Sequence, residues 1–156
     1  MKDKMVYRAF VFDDDRAIRS MLWTFLDLRG YEVFTFPHPG MCPHFDMEAC
    51  PCPVRQSCTD IIISDLKMPV SNGLDFVKGQ ITKGCHCRHF ALMSGYWTPQ
   101  ELAKAEELGF KVLSKPFQID ELANWLDKVE ESIDHGRELS DWWKEEYRHP
   151  EDDDGP

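Results

Sequence analysis

The apolar positions of this chain fall into two alternating patterns. Val6 to Phe12 is a β-rich run that stops at three acids, Asp13-Asp14-Asp15. From Ala17 to Leu28 the spacing changes, with Ile18, Met21, Leu22, Phe25 and Leu26 recurring at helical intervals. Gly30 then ends that helix as a C-terminal glycine does. Tyr31 to Phe36 reads as a second strand. Asp60 to Ser64 reads as a short buried strand ending at Asp65, Phe90 to Met93 as one ending at Ser94, and Phe110 to Leu113 as one ending at Ser114-Lys115. Asn72-Gly73 marks a turn before a helix over Leu74 to Ile81. Thr98-Pro99-Gln100-Glu101 carries a helix start: a hydroxyl N-cap, a proline in the first turn and a glutamate that completes a capping box. That helix runs to about Leu108 and Gly109 stops it. A last amphipathic helix covers Asp120 to Ile133, with Leu122, Trp125, Leu126 and Val129 on one face.

Strands that are apolar on both faces and alternate with helices imply an α/β fold with a parallel sheet covered on both sides. One stretch breaks the alternation. Residues 37–58 hold five prolines and four cysteines and show no period. In such sheets the site lies beyond the carboxyl ends of the strands. Asp13, Asp14, Asp65, Ser94 and Lys115 sit at those ends. Three carboxylates in one crevice repel one another and stay ionised together only with a cation to neutralise them. Oxygen-only donors suit a hard ion such as Mg²⁺. A phosphoryl group, with several oxygens, would bridge the ion, the lysine and the serine. A carboxylate can act as nucleophile toward phosphorus and form an acyl phosphate, with the metal and the lysine holding charge on the transferring group.

These residues give the chain its resemblance. Asp13-Asp14, Asp65 followed by Leu66-Lys67-Met68-Pro69 and Asn72-Gly73, Ser94, and Lys115-Pro116-Phe117, in that order at successive strand ends, resemble the receiver domain of two-component response regulators over residues 5–133. The resemblance implies a flavodoxin-like, doubly wound, five-stranded parallel sheet of order 2-1-3-4-5. It implies that Asp65 is the phosphoacceptor, and that Asp14 and Asp65 bind Mg²⁺ directly with Asp13 acting partly through water. The backbone carbonyl of Lys67 would be a further ligand, Ser94 would hydrogen-bond the phosphoryl group and Lys115 would pair with it. It also implies a phosphoacceptor rather than an enzyme. Its partners would be a histidine kinase or histidine phosphotransfer protein and a downstream protein target. The family's usual dimer surface, here the helix after Ser94 and the strand before Lys115, adds a homodimer to the partners implied.

The sequence shows two departures from the family pattern. The switch aromatic expected three residues before the lysine is Val112. Tyr96 and Lys67, two residues after Ser94 and Asp65, flank the path of an attacking water, which suggests a long-lived phosphoryl group.

The six cysteines stand apart from this pocket. Cys42, Cys50, Cys52 and Cys58 occupy the irregular 37–59 segment, where a receiver has its second helix, and Cys85 and Cys87 follow the next helix. Both groups precede strands, so they can meet at the opposite end of the sheet. A tetrahedral Zn²⁺ site is one expectation, with His44, His86 or His89 as substitutes. Uncoordinated thiols, disulfides and an iron–sulfur cluster are the others.

Composition narrows the function classes. The chain has 156 residues, 42% hydrophobic and 12% aromatic, as a globular chain does. Its net charge is −10, and residues 131–156 contain ten acids against three bases. That balance argues against binding nucleic acid through phosphates. No apolar run approaches the roughly 20 residues that cross a bilayer, and the amino terminus does not read as a signal peptide. A soluble, cytoplasmic protein without a membrane partner is the expectation. Residues 134–156 read as an acidic tail with a short helix over 137–149, whose face of Leu139, Trp142, Trp143 and Tyr147 docks on the domain or meets a partner. Glu151 to Asp154 reads as a solvated end. With no recognition helix or further domain in sight, output would pass through protein contacts.

Two other classes compete. A haloacid-dehalogenase-type aspartyl phosphatase would use Asp13-x-Asp15, but leaves Asp65 unexplained, and no acidic pair follows a strand beyond Lys115. A receiver fold turned metal or redox module would use the cysteines and leave the acidic pocket idle.

Overall fold

The computed structural model describes residues 6–42, 45–68 and 72–150. Seven strands and four helices alternate along them: β1 (Tyr7–Phe12), α1 (Arg16–Leu28), β2 (Tyr31–Phe36), β3 (Gln56–Ser57), β4 (Ile61–Asp65), α2 (Gly73–Thr82), β5 (His89–Ser94), α3 (Pro99–Glu107), β6 (Lys111–Ser114), α4 (Ile119–Ser132) and β7 (Glu138–Leu139). The main sheet has five strands in the order β2-β1-β4-β5-β6, all parallel. This is the expected 2-1-3-4-5 order, because the two-residue β3 belongs to a separate small sheet with β7.

The alternation of side chains along each strand builds two cores. Ala9, Val11, Ile61, Ile63, Ala91 and Met93 point to one side, under α1 (Leu22, Leu26) and α4 (Leu122, Leu126, Val129). Phe10, Phe12, Ile62, Phe90 and Leu92 point to the other, under α2 (Phe76, Val77) and α3 (Ala105). The period of two turns an unbroken apolar strand into a double-sided one. Helix starts follow local chemistry. The Asp15 carboxylate caps α1 by accepting from the Ala17 amide, and Thr98 and Glu101 form the capping box of α3.

One structural expectation is corrected. Residues 137–149 form no helix. Glu138–Leu139 instead pair in parallel with Gln56–Ser57, and Ser140 N–H donates to the Ser57 carbonyl at 2.7 Å. The residues after them turn across the sheet. Leu139, Trp142, Trp143 and Tyr147 have helical spacing, but tertiary contacts take them one by one. Trp143 is fully buried, its ring edge-on to Phe10 at 5.0 Å and to Phe34 at 4.6 Å. Its indole Nε1 donates to the Ser140 carbonyl at 2.8 Å. The Tyr147 hydroxyl accepts from Thr35 N–H at 3.1 Å and donates to the Thr35 carbonyl at 3.0 Å. The aromatic residues therefore dock on the domain, on the face of β1 and β2 opposite to α1. Pro39–Met41 is a single 3-10 turn, and His44, Pro69 and Glu151–Asp154 lie outside the described residues.

A buried cation anchors this docking. Arg8 is 3% exposed on β1. Its guanidinium pairs with Glu32 and Asp141, each at 2.7 Å, and donates to the carbonyls of Cys58 and Ser140, each at 3.1 Å. Asp60, also buried, accepts from Arg8 N–H at 2.9 Å and from two Arg137 nitrogens at 2.9 and 2.6 Å. Burying such charges is tolerable because their bonding capacity is met. Removing the Trp143 ring leaves a cavity against Phe10 and Phe34. Trp143→Ala is expected to cost about 3–5 kcal/mol, read as a lower urea midpoint. A loss below about 1 kcal/mol would show that the segment does not carry the core.

Candidate functional site

The carboxyl edge of the sheet collects the acids. Asp13 follows β1, Asp65 closes β4, and Asp14 reaches in from the turn before α1. Among the described residues, carboxylate oxygens of Asp13, Asp14 and Asp65 form the one group of three potential metal ligands lying within 4.8 Å of one another. Asp13 is fully buried and Asp65 nearly so, while Asp14 is exposed. The strand ends are pinned beyond the ladder itself: Leu66 N–H donates to the Met93 carbonyl and Lys115 N–H to the Ser94 carbonyl, each at 2.7 Å. Arg19 donates to the Asp13 carbonyl at 2.8 Å and so ties α1 to the same edge.

Lys115 enters this cluster as its internal cation. Its ammonium lies 2.8 Å from Asp13 Oδ2 and 3.0 Å from Asp65 Oδ1. The other Asp13 oxygen accepts from Asp15 N–H at 2.8 Å. Burial nevertheless raises both carboxyl pKa values. For Asp13 it outweighs the bonds from Lys115 and Asp15; for Asp65 it outweighs Lys115, with Asp14 adding repulsion. Burial opposes the Lys115 charge too, but the two carboxylates together raise its pKa. One lysine does not balance three acids.

Gly73 entered the sequence reading as a turn residue and as part of the family motif, with no role of its own. Asn72 caps α2, its side chain accepting from Leu74 N–H at 2.8 Å. Gly73 N–H donates to the Leu66 carbonyl at 2.7 Å. A Cβ on Gly73 would sit 2.2 Å from the Asp65 carbonyl oxygen. Only glycine lets α2 approach the backbone that aims Asp65. A glycine in the first turn after an Asn cap is the signal that was there to find.

The remaining expected residues are in place around the edge. Ser94 is buried; its hydroxyl donates to the Tyr96 carbonyl at 2.6 Å and accepts from Tyr96 N–H at 3.1 Å. Lys67 Nζ stands 5.4 Å from the centre of the Tyr96 ring, so the two flanking residues meet. Val112 pairs with Leu92 in the ladder and packs at the margin of the core beneath α3.

The six cysteines do not gather as one set. Cys50, Cys52, Cys58 and Cys85 form a string, each side chain bonded to the next. Cys42 instead accepts from Gln80 Nε2 at 3.9 Å. Cys87 donates to the Asp60 carbonyl at 3.5 Å, because that core position faces β4. His86 and His89 are engaged with the Gln56 carbonyl and the Ser132 hydroxyl. No disulfide joins any of the six.

With this geometry established, comparison with known proteins gives the class. The family model of the response regulator receiver domain matches residues 9–127, and the chain belongs to that family. It is 34% identical over 120 residues to the DNA-binding transcriptional regulator NtrC of Azospirillum brasilense, which covers 76% of this chain and 23% of that protein. The chain thus spans under a quarter of that relative's length. Among solved structures it is similar to the Vibrio cholerae chemotaxis protein CheY4, with a TM-score of 0.63, 25% identity and coverage of 80% of this chain and 98% of that one. It is also similar to the receiver domain of the hybrid histidine kinase CckA, with a TM-score of 0.58, 25% identity and coverage of 78% and 97%. The sheet is the flavodoxin-like receiver fold of these relatives. No helix among the described residues is long and apolar enough to cross a membrane.

The crowded carboxylates carry a pH signature. A carboxyl pKa raised by folding contributes stability that is present below the ordinary value of 3.8 and is lost as pH rises through the raised values. Asn mimics the neutral acid. In metal-free buffer Asp65→Asn is expected to melt higher than the wild-type chain at neutral pH, with the gap closing in acid. A gap that is absent or reversed at neutral pH overturns this reading of the pocket.

Proposed function

We propose that the chain is a phosphoacceptor in a phosphorelay, taking a phosphoryl group onto Asp65 from a phosphohistidine of a histidine kinase or phosphotransfer protein. The observation that supports it most is the convergence of Asp13, Asp14 and Asp65 at the carboxyl edge, with Lys115 between the two buried acids. Three hard oxygen donors with more negative charge than Lys115 balances fit Mg²⁺. Asp14 and Asp65 would hold it directly, Asp13 partly through water, and the Lys67 carbonyl would complete the protein's share. When bound, such an ion neutralises the acids and the charge on the transferring group.

In the transfer a carboxylate oxygen of Asp65 forms the new O–P bond as the P–N bond to the donor histidine breaks. Buried Asp13 holds the Lys115 ammonium in place, and Lys115 exchanges its 3.0 Å contact with Asp65 for one with the phosphoryl oxygens. The Ser94 hydroxyl, now on the Tyr96 carbonyl, would turn to the phosphoryl group. That exchange releases the peptide at Tyr96, at the mouth of the loop leading to α3. With Val112 where an aromatic switch would be, this backbone bond is the route from site to surface that the residues provide. The signal would then pass to a protein target.

The test is incubation with acetyl phosphate and Mg²⁺, followed by phosphate-affinity electrophoresis and intact-mass measurement. One acid-stable, base-labile phosphoryl group per chain is expected, lost in Asp65→Asn and with chelator. Labelling that persists in Asp65→Asn overturns the assignment. Lys67 lies against the Tyr96 ring; acting together as a flap over the approach to Asp65, they would slow hydrolysis, so Tyr96→Ala should shorten the phosphoryl half-life several-fold. A half-life of seconds that the substitution leaves unchanged removes the flap.

A further inference from the structure

The chemistry that the phosphoacceptor reading leaves unused lies at the opposite edge of the sheet. Cys50, Cys52 and Cys58 come from the segment before β4, and Cys85 from the loop between α2 and β5. Their sulfurs form an unbroken run of contacts, Cys50 to Cys52, Cys52 to Cys58 and Cys58 to Cys85. None is oxidised.

Thiols that merely fill space as small hydrophobes need no donors aimed at them. These have donors. The Cys52 amide bonds to the Cys50 sulfur, and the Cys87 amide to the Cys85 sulfur. Trp142 Nε1 lies 3.4 Å from the Cys52 sulfur, and the Ser140 side chain also bonds to it. A neutral thiol is a poor acceptor, whereas N–H bonds to an anionic sulfur are charge-assisted. Such bonds orient and tune thiolate ligands around a metal.

We propose that Cys50, Cys52, Cys58 and Cys85 form a tetrathiolate site for a soft divalent cation of the zinc class, which clamps the 50–58 segment to the α2–β5 loop. Through Trp142 and Ser140 the same site steadies the C-terminal segment. Cys42 and Cys87 are outside it, one held by Gln80 and the other turned to the Asp60 carbonyl. The four sulfurs are strung in sequence and no three of them lie within 4.8 Å of one another, so binding has to draw Cys50 and Cys85 inward. Cys85 also lines an open surface groove with Gln56 and His86, which gives an ion its way in. Four soft ligands without a labile position suit a structural role. Such a site holds a segment whose prolines prevent a helix from holding it.

The experiment uses the full chain, purified without chelator, and the chain stripped of metal and titrated with Zn²⁺ alone under reductant. Native mass spectrometry should find one tightly held ion per chain. Cobalt substitution should give the intense thiolate charge-transfer and visible bands of a tetrahedral sulfur site. Cys52→Ser and Cys85→Ser should weaken Zn²⁺ binding about a hundredfold or more, while Cys42→Ser and Cys87→Ser leave it unchanged. Should a serine variant fail to fold, the cobalt spectrum of the wild-type chain decides. An apo mass with no Zn²⁺ uptake, disulfides within the quartet, or a cobalt spectrum without thiolate bands overturns the proposal. Acetyl phosphate labelling of Asp65 is scored separately, so failure of the metal site is distinct from failure of the phosphoacceptor.

Discussion

A parallel sheet has to be covered on both faces, and here the cover over β1 and β2 on one side is not a helix. Phe10, Phe34 and Phe36 would otherwise stand against water. The prolines of 37–58 deny that stretch the hydrogen bonds of a helix. The chain closes the gap with two irregular pieces, the cysteine-bearing segment and residues 138–147, joined by the small β3–β7 sheet. Much of what distinguishes this receiver follows from that substitution. It explains a fully buried tryptophan so late in the chain, a buried arginine on a central strand, and an aspartate at 60 bonded to Arg137.

The arrangement separates two kinds of order. At the carboxyl edge, side chains of like charge are forced together, and burial makes their ionisation costly. That edge is poised for change: Lys115 and the Ser94 hydroxyl both hold bonds that an incoming anion can take over. At the amino edge, Arg8, Asp60, Glu32, Asp141 and Arg137 pair opposite charges with their bonding capacity met. One end of the sheet is electrostatically frustrated and the other satisfied. The rigid strands between them let the first respond without loosening the second.

The sequence was legible where local rules and tertiary demand agree. Ile61 to Asp65 is apolar on both faces because both faces are covered, and Thr98 to Glu101 caps a helix by contacts within four residues. The acidic pocket could be read because each member stands at a strand end, where topology alone brings it to one edge. Reading failed where partners are remote. Leu139, Trp142, Trp143 and Tyr147 satisfy a helical period, yet each is claimed by a different contact, Tyr147 by Thr35 112 residues away. Arg8 sat unremarked in an apolar run, since its acids lie at 32 and 141. Gly73 carries no chemistry of its own; its role is the side chain it lacks, seen only once the Asp65 carbonyl is placed beside it. The thiols divide four and two because Gln80 and Asp60 claim the other two, which spacing does not encode.

The docking of Trp143 on β1 also sets an order of events during synthesis. Arg8 and Ser140 are joined across 132 positions of the chain, so the face of β1 is closed only by residues synthesised well after it. Until residues 138–147 are made, Phe10, Phe34 and Phe36 lack this aromatic cover. Contacts of such separation are slow to form, and exposed strand faces of this kind are where nascent chains associate wrongly. Folding of β1 and β2 is thus completed by residues 138–147, far along the sequence from the face they cover.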